Sequence, residues 1–250
     1  MMTETIRTTA LHKAYANGRA VFSGVDIRIE AGERVALIGS NGAGKSTLLK
    51  CLIGHTPFCH GEVATLGEAF TRAPDARQLA RMRQQIGFVF QSHGLVRRQS
   101  VLTNVVHGML GLPGSWRAWH QSIATEEARE SAMQALGQVR LSGKASSRAD
   151  ELSGGQAQRV AIARALVRKP RLLIADEPAA SLDPIAGREV MELFSDLARE
   201  HRITLVFTTH DVAHAVDFSD RIVALKAGGV HFDLPTADVS DDMLRGVYDA

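Results

Sequence analysis

The chain has 250 residues, of which 45% are hydrophobic and 22% are charged, an ordinary composition for one large globular domain or two small ones. Its formal net charge of +2 is too small to indicate a nucleic-acid partner. No apolar run approaches the roughly 20 residues that span a bilayer, and residues 1–11 lack the apolar stretch of a signal peptide. If the protein serves a membrane process, we expect other chains to supply the membrane part.

The first part of the chain predicts strands around a glycine-rich loop. Residues 6–10 and 25–29 alternate apolar with polar side chains, as half-buried strands do. Residues 34–38 have the pattern of a buried strand, which runs directly into the glycine-rich loop 39–44. Helical spacing of leucines then predicts a helix over 45–53. The local order is therefore strand, phosphate-binding loop and helix.

The rest of the chain alternates predicted helices and strands. Further strands are predicted at 61–66, 87–90, 172–175, 203–208, 221–225 and 230–233, the last two forming a hairpin. Helical periodicity runs from about 101 to 148 and marks helices at 125–139, 154–167 and 188–201. This alternation predicts an α/β fold with a mainly parallel sheet and helices on both faces. The early strands are expected to form a separate antiparallel side sheet, and the helical stretch an inserted lobe.

A phosphate-binding loop is the most specific motif of the first hundred residues. It matches G-x-x-x-x-G-K-[ST] in full, between a predicted strand and a predicted helix. Glycines let backbone N–H groups approach phosphate oxygens, and the helix N-terminus directs its positive end at the same anion. We expect Lys45 to reach the β- and γ-phosphates and the Ser46 hydroxyl to coordinate Mg²⁺. The predicted nucleotide-binding residues here are Gly39, Ser40, Asn41, Gly42, Ala43, Gly44, Lys45, Ser46 and Thr47.

Two adjacent carboxylates follow the predicted strand 172–175. Asp176, at the strand end, is placed to hold Mg²⁺ through water. Glu177 is one residue further, so we expect it to face the γ-phosphate and to orient or deprotonate the attacking water. An ordinary polar strand end is the alternative. Two acids at the end of a buried strand carry a desolvation cost, however, and a metal would offset that cost.

A second anion-binding pattern opens the predicted helix 154–167. Its residues are Leu152, Ser153, Gly154, Gly155 and Gln156. The serine supplies a hydroxyl, the glycines expose backbone N–H groups, and the helix supplies its dipole. One ATP has no evident use for two phosphate sites within a single subunit. Two chains facing head to tail would bring the phosphate loop of one against this second pattern of the other.

Together these motifs resemble the ATP-binding cassette (ABC) family over nearly the whole chain. The set comprises the phosphate loop, Gln91, the signature 152–156, the carboxylate pair 176–177, the segment 181–183 and His210. No other phosphate-loop family has this set. The resemblance implies ATP hydrolysis with ATP and Mg²⁺ as cofactors. It also implies a P-loop NTPase (RecA-like) core and a single ABC ATPase domain over 1–250.

The resemblance also implies how that domain is divided. The RecA-like core with its antiparallel β subdomain is expected at about 1–91 and 159–250, and the helical subdomain at about 92–158.

Several residue roles are implied by the same resemblance. Tyr15 resembles the aromatic side chain that stacks on adenine, and Gln91 resembles the residue linking Mg²⁺ and the attacking water to the transporter contact. Ser153 and its neighbours in the signature resemble γ-phosphate contacts made in trans. Asp183 resembles a loop residue that crosses the dimer interface, and His210 resembles the γ-phosphate sensor that pairs with the catalytic glutamate. Plainer alternatives are a surface or core aromatic, a strand cap and a structural histidine.

Within the family, local sequence resembles the phosphonate-type ATP-binding subunits of importers. The stretches that carry this resemblance are 88–91, 95–105, 108–119, 180–184 and 221–225. The resemblance implies import of phosphonate or a related phosphorus oxyanion. Alternatives are an importer of polar amino acids or another small solute, an exporter subunit, or a soluble ABC ATPase acting on nucleic acid or ribosomes. The last is disfavoured because the chain carries one cassette without a long coiled coil.

The expected partners follow from the family. They are a second copy of the chain in a head-to-tail homodimer, separate integral membrane permease subunits and, indirectly, a solute-binding protein, with no nucleic acid. We expect the chain at the cytoplasmic face of the cell membrane as a peripheral subunit. Transported solute would contact the other components, so its identity is specified outside this chain.

Two tryptophans and two cysteines remain outside these motifs. Trp116 and Trp119 are expected to pack on the helical lobe, with a partner contact as the alternative. Cys51 and Cys59 are expected to be reduced thiols of a cytosolic protein, because their spacing with the nearby histidines fits no zinc finger or ribbon.

Overall fold

A computed structural model describes residues 4–15, 18–112 and 114–249. The ends of the predicted domain 1–250 and residue 113 of the stretch 108–119 lie outside these described residues. The strands are β1 Glu4–Ala14, β2 Ala20–Glu30, β3 Arg34–Ile38, β4 His60–Thr65, β5 Glu68–Phe70, β6 Ile86–Val89, β7 Leu172–Asp176, β8 Thr204–Thr208, β9 Arg221–Lys226 and β10 Gly229–Pro235. The helices are α1 Lys45–Leu52, α2 Ala76–Gln85, α3 Val101–Val106, α4 Glu126–Gln138, α5 Gly154–Leu166, α6 Pro184–Glu200, α7 Val212–Phe218 and α8 Asp241–Tyr248.

The strands form two sheets. Strands β3, β6, β7, β8 and β9 are parallel in the order β9-β3-β8-β7-β6, and β10 joins the β9 edge antiparallel. The other sheet, β2-β1-β4-β5, is antiparallel in its β1–β2, β1–β4 and β4–β5 pairs. The predicted α/β fold, with a mainly parallel sheet and an antiparallel side sheet, is confirmed.

The parallel sheet is buried on both faces. Along β3, Ala36 and Ile38 belong to one hydrophobic core, whereas Val35 and Leu37 belong to a second core on the opposite face. This follows from the period of two in a strand, which sends successive side chains to opposite faces. The second core lies between the parallel sheet, α1 and the antiparallel sheet. Near-continuous apolar strands are what a doubly covered parallel sheet requires.

The helices α3, α4 and α5 pack on one another and lie in sequence between β6 and β7. Their contacts are built from small and medium apolar side chains such as Val105, Ala132 and Val160, all fully buried. The predicted boundary between residues 158 and 159 falls inside α5, so this helix continues from the helical layer towards the sheet. The division into subdomains stays a prediction.

Some elements differ from the sequence-based expectation. Helix α6 begins at Pro184 rather than at 188, because Asp183 caps it and a proline suits the first helical position. The helices α2, α7 and α8 and the short strand β5 were not predicted. Helix α2 begins with a capping box between Asp75 and Gln78.

The expectation that the tryptophans pack in the core is wrong. Trp116 is 74% exposed and Trp119 is 70% exposed, both on a 3₁₀ helix that runs from Ser115 to Trp119. Between them, Ala118 is the buried residue of this turn, because a three-residue repeat leaves little room for more than one inward position. Cys51 is buried and Cys59 is exposed, and both are free thiols.

None of the helices in the described residues combines the length and the apolar character that a membrane span requires.

Candidate nucleotide-binding site

The phosphate loop follows β3 directly and depends on two glycines. Gly39 has a φ of 152°, and a Cβ atom there would lie 2.5 Å from the Leu225 carbonyl oxygen. Gly44 has a φ of 97° and precedes α1, where a Cβ atom would lie 2.9 Å from the Val21 side chain. Both positions therefore require glycine for conformation and for space. The loop between them curls over the N-terminus of α1, so the helix dipole points into it.

Lys45 is the buried cation of this loop. Its Nζ donates to the carbonyl oxygens of Gly39 at 2.7 Å and Ser40 at 3.2 Å, and the residue is 5% exposed. Burial lowers the pKa of the Lys45 ammonium, while the nearby carboxylates of Glu177 and Asp176 act in the opposite direction. The ammonium is therefore held inside the loop, beside the position where backbone N–H groups and the helix N-terminus converge.

A hydrogen-bond network joins the phosphate loop to the ends of two parallel strands. The Ser46 hydroxyl donates to Asp176 Oδ1 at 2.7 Å, and the Thr208 hydroxyl donates to the same oxygen at 2.9 Å. Thr208 Oγ1 also accepts the backbone N–H of Glu177 at 2.8 Å. Since β7 and β8 are neighbours, their carboxyl ends deliver these groups to one edge of the sheet.

Glu177 holds an unusual backbone conformation next to this network. Its φ is +48°, in the left-handed region that non-glycine residues rarely occupy and that clusters at functional sites. Its side chain lies near His210, whose Nδ1 is 3.6 Å from Glu177 Oε2. The His210 side chain is 56% exposed and that of Glu177 only 18%. The pair therefore joins a partly buried carboxylate to an imidazole at the surface.

A cavity of about 390 Å³ opens in front of the loop. It is lined by Glu177 and by residues of the phosphate loop, together with Tyr15, Arg19 and the start of β2. Tyr15 is half exposed, and its hydroxyl lies 3.1 Å from the Thr47 hydroxyl. Lys13 Nζ lies 5.2 Å from the centre of the Tyr15 ring. An open aromatic face at the rim of a phosphate loop suits an adenine base, and this role of Tyr15 stays a prediction.

The signature begins a helix on another part of the surface. Ser153 caps α5, its Oγ accepting the Gln156 N–H at 3.3 Å while Gln156 Oε1 accepts the Ser153 N–H at 3.2 Å. Ser153 and Gly154 are exposed, and Gly155 is partly exposed. A Cβ atom on Gly154 would lie 3.0 Å from the Leu182 side chain, which places the signature beside the segment 181–183 of the same chain. The helix start thus faces outward with accessible N–H groups.

The structure brings together only part of the predicted site. The phosphate loop, Ser46, Asp176, Glu177 and His210 form one connected group, with Tyr15 at its rim. Asp183 caps α6 and lines a smaller adjoining cavity with Glu177 and His210. Gln91 is exposed just after β6, and neither it nor the signature lines the phosphate-loop cavity. The outward position of the signature matches an expected role opposite another subunit.

Sequence inspection missed Thr208. The signal was present, because a threonine ends the apolar strand 204–208 next to the strand that ends in Asp176 and Glu177. Without strand order, however, nothing in the sequence says that β8 is the neighbour of β7. Its hydroxyl positions the carboxylate of Asp176 and the backbone of Glu177 at once.

Thr208→Val tests this positioning. Valine keeps the shape but leaves the Glu177 N–H without its acceptor, which costs about 1–3 kcal/mol of unfolding free energy. We expect ATP turnover to fall roughly 10- to 100-fold through misplacement of the carboxylates. Thr204→Val is the matched control, because Thr204 lies at the other end of β8 and bonds Thr5 instead. Equal turnover loss in both variants would contradict a specific role of Thr208.

Comparison with known proteins places this site in a family. The model of the ABC transporter family matches residues 22–180. The phosphonates import ATP-binding protein PhnC 1 of Rhodopseudomonas palustris is 42% identical over 243 residues, covering 97% of this chain and 89% of that protein. The corresponding PhnC of Stutzerimonas stutzeri is 43% identical over 254 residues, covering 100% of this chain and 91% of that protein.

Solved structures of ATP-binding cassettes share the fold of this chain. The ATP-binding cassette MJ0796, a dimer in a post-hydrolysis state with ADP and phosphate, has a TM-score of 0.79 at 33% identity, covering 93% of this chain and 99% of its own. CbiO1 of Clostridium perfringens, part of the transporter complex cbiONQ, has a TM-score of 0.82 at 28% identity, covering 98% and 94%.

Fold and site define the class as a P-loop ATPase with an ABC signature. The chain belongs to the ABC transporter family, and it binds and hydrolyses ATP as the ATPase subunit of a transporter. The resemblance inferred from the motifs is therefore confirmed for the family, the fold and the ATPase activity.

Proposed function

We propose that this chain is the ATP-hydrolysing subunit of an importer for phosphonate or a related phosphorus oxyanion, acting through separate membrane subunits. The observation that carries the proposal is the identity of 40–43% with phosphonates import ATP-binding proteins over 94–100% of this chain. The resemblance extends through the helical region 92–158. That region is where the family's contact with the membrane partner is expected, so it bears on the class of transporter.

The phosphate loop and the catalytic pair have distinct tasks in this proposal. The triphosphate lies along the loop 39–47, with its γ-phosphate reaching Lys45, and the adenine lies against Tyr15. Glu177 then accepts a proton from the attacking water as the γ-phosphate is displaced. His210, 3.6 Å from Glu177, holds that carboxylate and contacts the γ-phosphate. The phosphate loop therefore binds and orients the triphosphate, whereas Glu177 and His210 take part in the hydrolysis step.

The oxygen donors at the loop suit Mg²⁺. The hydroxyl of Ser46 and the carboxylate of Asp176 lie 2.7 Å apart, and Mg²⁺ prefers hard oxygen ligands, including phosphates and several waters. The described residues contain no cluster of three or more His, Cys, Asp or Glu side chains that could hold a metal ion. One carboxylate and one hydroxyl are enough where phosphates complete the shell. When bound, the ion would offset phosphate charge. Gln91 lies outside the phosphate-loop cavity in this structure, and we propose it as a further ligand in the closed dimer.

We further propose that the working form is a head-to-tail homodimer. The exposed start of α5 supplies N–H groups and a helix dipole that the phosphate-loop cavity of the same chain does not use. In the dimer, Ser153, Gly154, Gly155 and Gln156 cap the γ-phosphate bound by the other subunit, and Asp183 lies at the interface. ATP favours the closed dimer because only that state completes both sets of phosphate contacts.

Mixed dimers test the shared sites. Ser153→Asp keeps a good helix cap but puts a negative charge where the partner's γ-phosphate is expected, and Lys45→Ala weakens the loop. At an ATP concentration that just saturates the wild type, each variant alone should turn over little ATP. An equimolar mixture should regain up to about one quarter of wild-type ATP turnover, since half the dimers hold one intact composite site.

The control for the mixture is Ser240→Asp, the same change at the cap of α8, which should stay active alone. No regained turnover at any mixing ratio would argue against sites shared between subunits.

The membrane partners complete the proposal. Integral permease subunits receive the motion of the helical layer around Gln91, and a solute-binding protein delivers the phosphorus oxyanion to them. The chain then works as a peripheral subunit at the cytoplasmic face of the membrane. Nucleic acid has no role in this arrangement.

Growth tests the substrate directly. A strain lacking only this gene should fail to grow with a phosphonate as sole phosphorus source, yet grow normally on inorganic phosphate. The wild-type gene should restore growth and Glu177→Gln should not. Normal growth on phosphonates, with loss of uptake of a polar amino acid or another solute, would replace phosphonate by that solute.

A further inference from the structure

The end of strand β1 carries a buried lysine. Lys13 is 8% exposed, and it takes part in none of the salt bridges among the residues that the structure describes. Lysine is seldom buried without a carboxylate partner, because burial removes water from its charge. The groups that the ammonium does contact therefore indicate what the residue is for.

A carbonyl oxygen and an aromatic ring take the place of a carboxylate. Lys13 Nζ donates to the Pro57 carbonyl oxygen at 2.7 Å, and it lies over the Tyr15 ring, 5.2 Å from the ring centre. A cation within about 6 Å of a ring centre is attracted to the negative face of the ring, more strongly where water is excluded. Tyr15 lines the nucleotide cavity and Lys13 does not. The ammonium therefore contacts the ring from the protein side and leaves the cavity side open.

The loop before β4 fixes the position of this ammonium. The Cys59 backbone N–H donates to the His12 carbonyl oxygen at 2.9 Å, and the Ala14 N–H donates to Cys59 Sγ at 3.4 Å. These bonds join the loop to β1 on both sides of Lys13. The Pro57 carbonyl oxygen is therefore held beside the strand, and it sets where the ammonium lies.

Tyr15 is held at two further points. Its hydroxyl lies 3.1 Å from the Thr47 hydroxyl, in the first turn of α1. Its backbone N–H donates to the Arg19 carbonyl oxygen at 3.0 Å. These contacts hold the hydroxyl end and the backbone of the residue. The contact with Lys13 acts on a face of the ring, so it determines the tilt of the ring plane.

We propose that Lys13 is a positioning residue for nucleotide binding, which holds the Tyr15 ring in the plane that stacks on the adenine base. This inference rests on the adenine contact of Tyr15 in the proposed function, and it assigns that contact a second residue. A ring that already has the orientation of the bound state loses less conformational freedom when ATP binds. The lysine therefore contributes to the affinity for the base without touching the nucleotide.

Two ligands separate the base contact from the phosphate contact. ATP uses the phosphate loop and the adenine contact, whereas inorganic tripolyphosphate uses the loop alone. Lys13→Met keeps most of the side-chain length but removes the charge and the bond to Pro57. We expect it to weaken ATP binding about 3- to 10-fold and to change tripolyphosphate binding less than about twofold. Titration measures the ATP affinity, and inhibition of ATP turnover measures the tripolyphosphate affinity. The KM for ATP should rise by more than kcat falls.

The matched control is Lys226→Met. Lys226 also donates to a carbonyl oxygen at 2.7 Å, that of Gly246 on α8, so the variant loses a bond of the same kind and length. It should bind ATP within about twofold of the wild type, because no cation–π contact is lost. An equal loss of ATP affinity in both lysine variants would overturn the proposal. Equal weakening of ATP and tripolyphosphate binding by Lys13→Met would do the same, since it would show a general loosening of the site.

A double-mutant cycle tests whether Lys13 acts through the ring. Tyr15→Leu removes the ring, so adding Lys13→Met should cost little further ATP affinity. Fully additive losses, or wild-type ATP affinity in Lys13→Met beside a weakened Tyr15→Leu, contradict the positioning role alone. Wild-type ATP affinity in Tyr15→Leu removes the adenine contact and this inference with it. These measurements involve no transported solute, so failure of phosphonate-dependent growth leaves them unaffected.

Discussion

Glu177→Gln is expected to lower ATP turnover by about 10²- to 10⁴-fold while ATP binding is retained. Glutamine has the size and the hydrogen-bonding reach of glutamate, but it cannot take a proton from water. Its backbone N–H would still donate to Thr208 Oγ1, so the left-handed conformation at this position has the same support. The loss should therefore appear in turnover and leave nucleotide affinity nearly unchanged.

The same variant should accumulate an ATP-bound dimer, because the step that removes the γ-phosphate is blocked while closure is not. Size-exclusion chromatography with ATP should show a dimer for Glu177→Gln and predominantly monomer for the wild type after turnover. Glu192→Gln, on the exposed face of α6, is the matched control and should behave as wild type. Wild-type turnover by Glu177→Gln would remove this carboxylate from the mechanism.

The fold was predictable where the physics is local. The apolar run 34–38, the glycines after it and the helix from Lys45 are specified by neighbouring residues, and each is found within a residue of its expected position. The buried strands ending at Asp176 and Thr208 were also expected, because continuous apolar stretches of this length are typical of a parallel sheet. Local pattern was sufficient for these elements.

Elements with short or polar patterns were not predictable in the same way. Helix α7 has seven residues, too few to show a helical repeat of hydrophobic residues in the sequence. The Asp211 cap and packing against the rest of the fold stabilise it. Met82 is the single buried residue of helix α2, so one side chain makes up its whole apolar stripe. Tertiary contacts rather than periodicity specify both helices, and a single sequence does not contain those contacts.

The candidate site, too, has parts that local sequence predicts and parts that depend on tertiary structure. Motif spacing supplied the phosphate loop and the carboxylate pair, but the junction made by Thr208 depends on β8 lying beside β7, which is a property of strand order. The prediction that Trp116 and Trp119 are buried was wrong for a related reason. Large aromatic side chains are usually buried, so the pattern favoured the core, whereas a 3₁₀ turn with Ala118 inward leaves Trp116 and Trp119 outside.

Lys45→Ala separates binding from chemistry and is the second large effect that we expect. The ammonium lies buried under the loop, and a hydrogen bond to a charged group contributes about 1.5–3 kcal/mol, so ATP affinity should fall roughly 10- to 100-fold. Lys45 also holds the carbonyl oxygens of Gly39 and Ser40, so part of the loss comes from a looser loop. Direct titration with ATP measures the affinity, and Lys50→Ala in the last turn of α1 is the matched control. An affinity equal to wild type would show that the loop backbone and the helix dipole hold the phosphates without the lysine. With Glu177→Gln, the pair of variants distinguishes the two tasks, because one should lose turnover at full affinity and the other should lose affinity first.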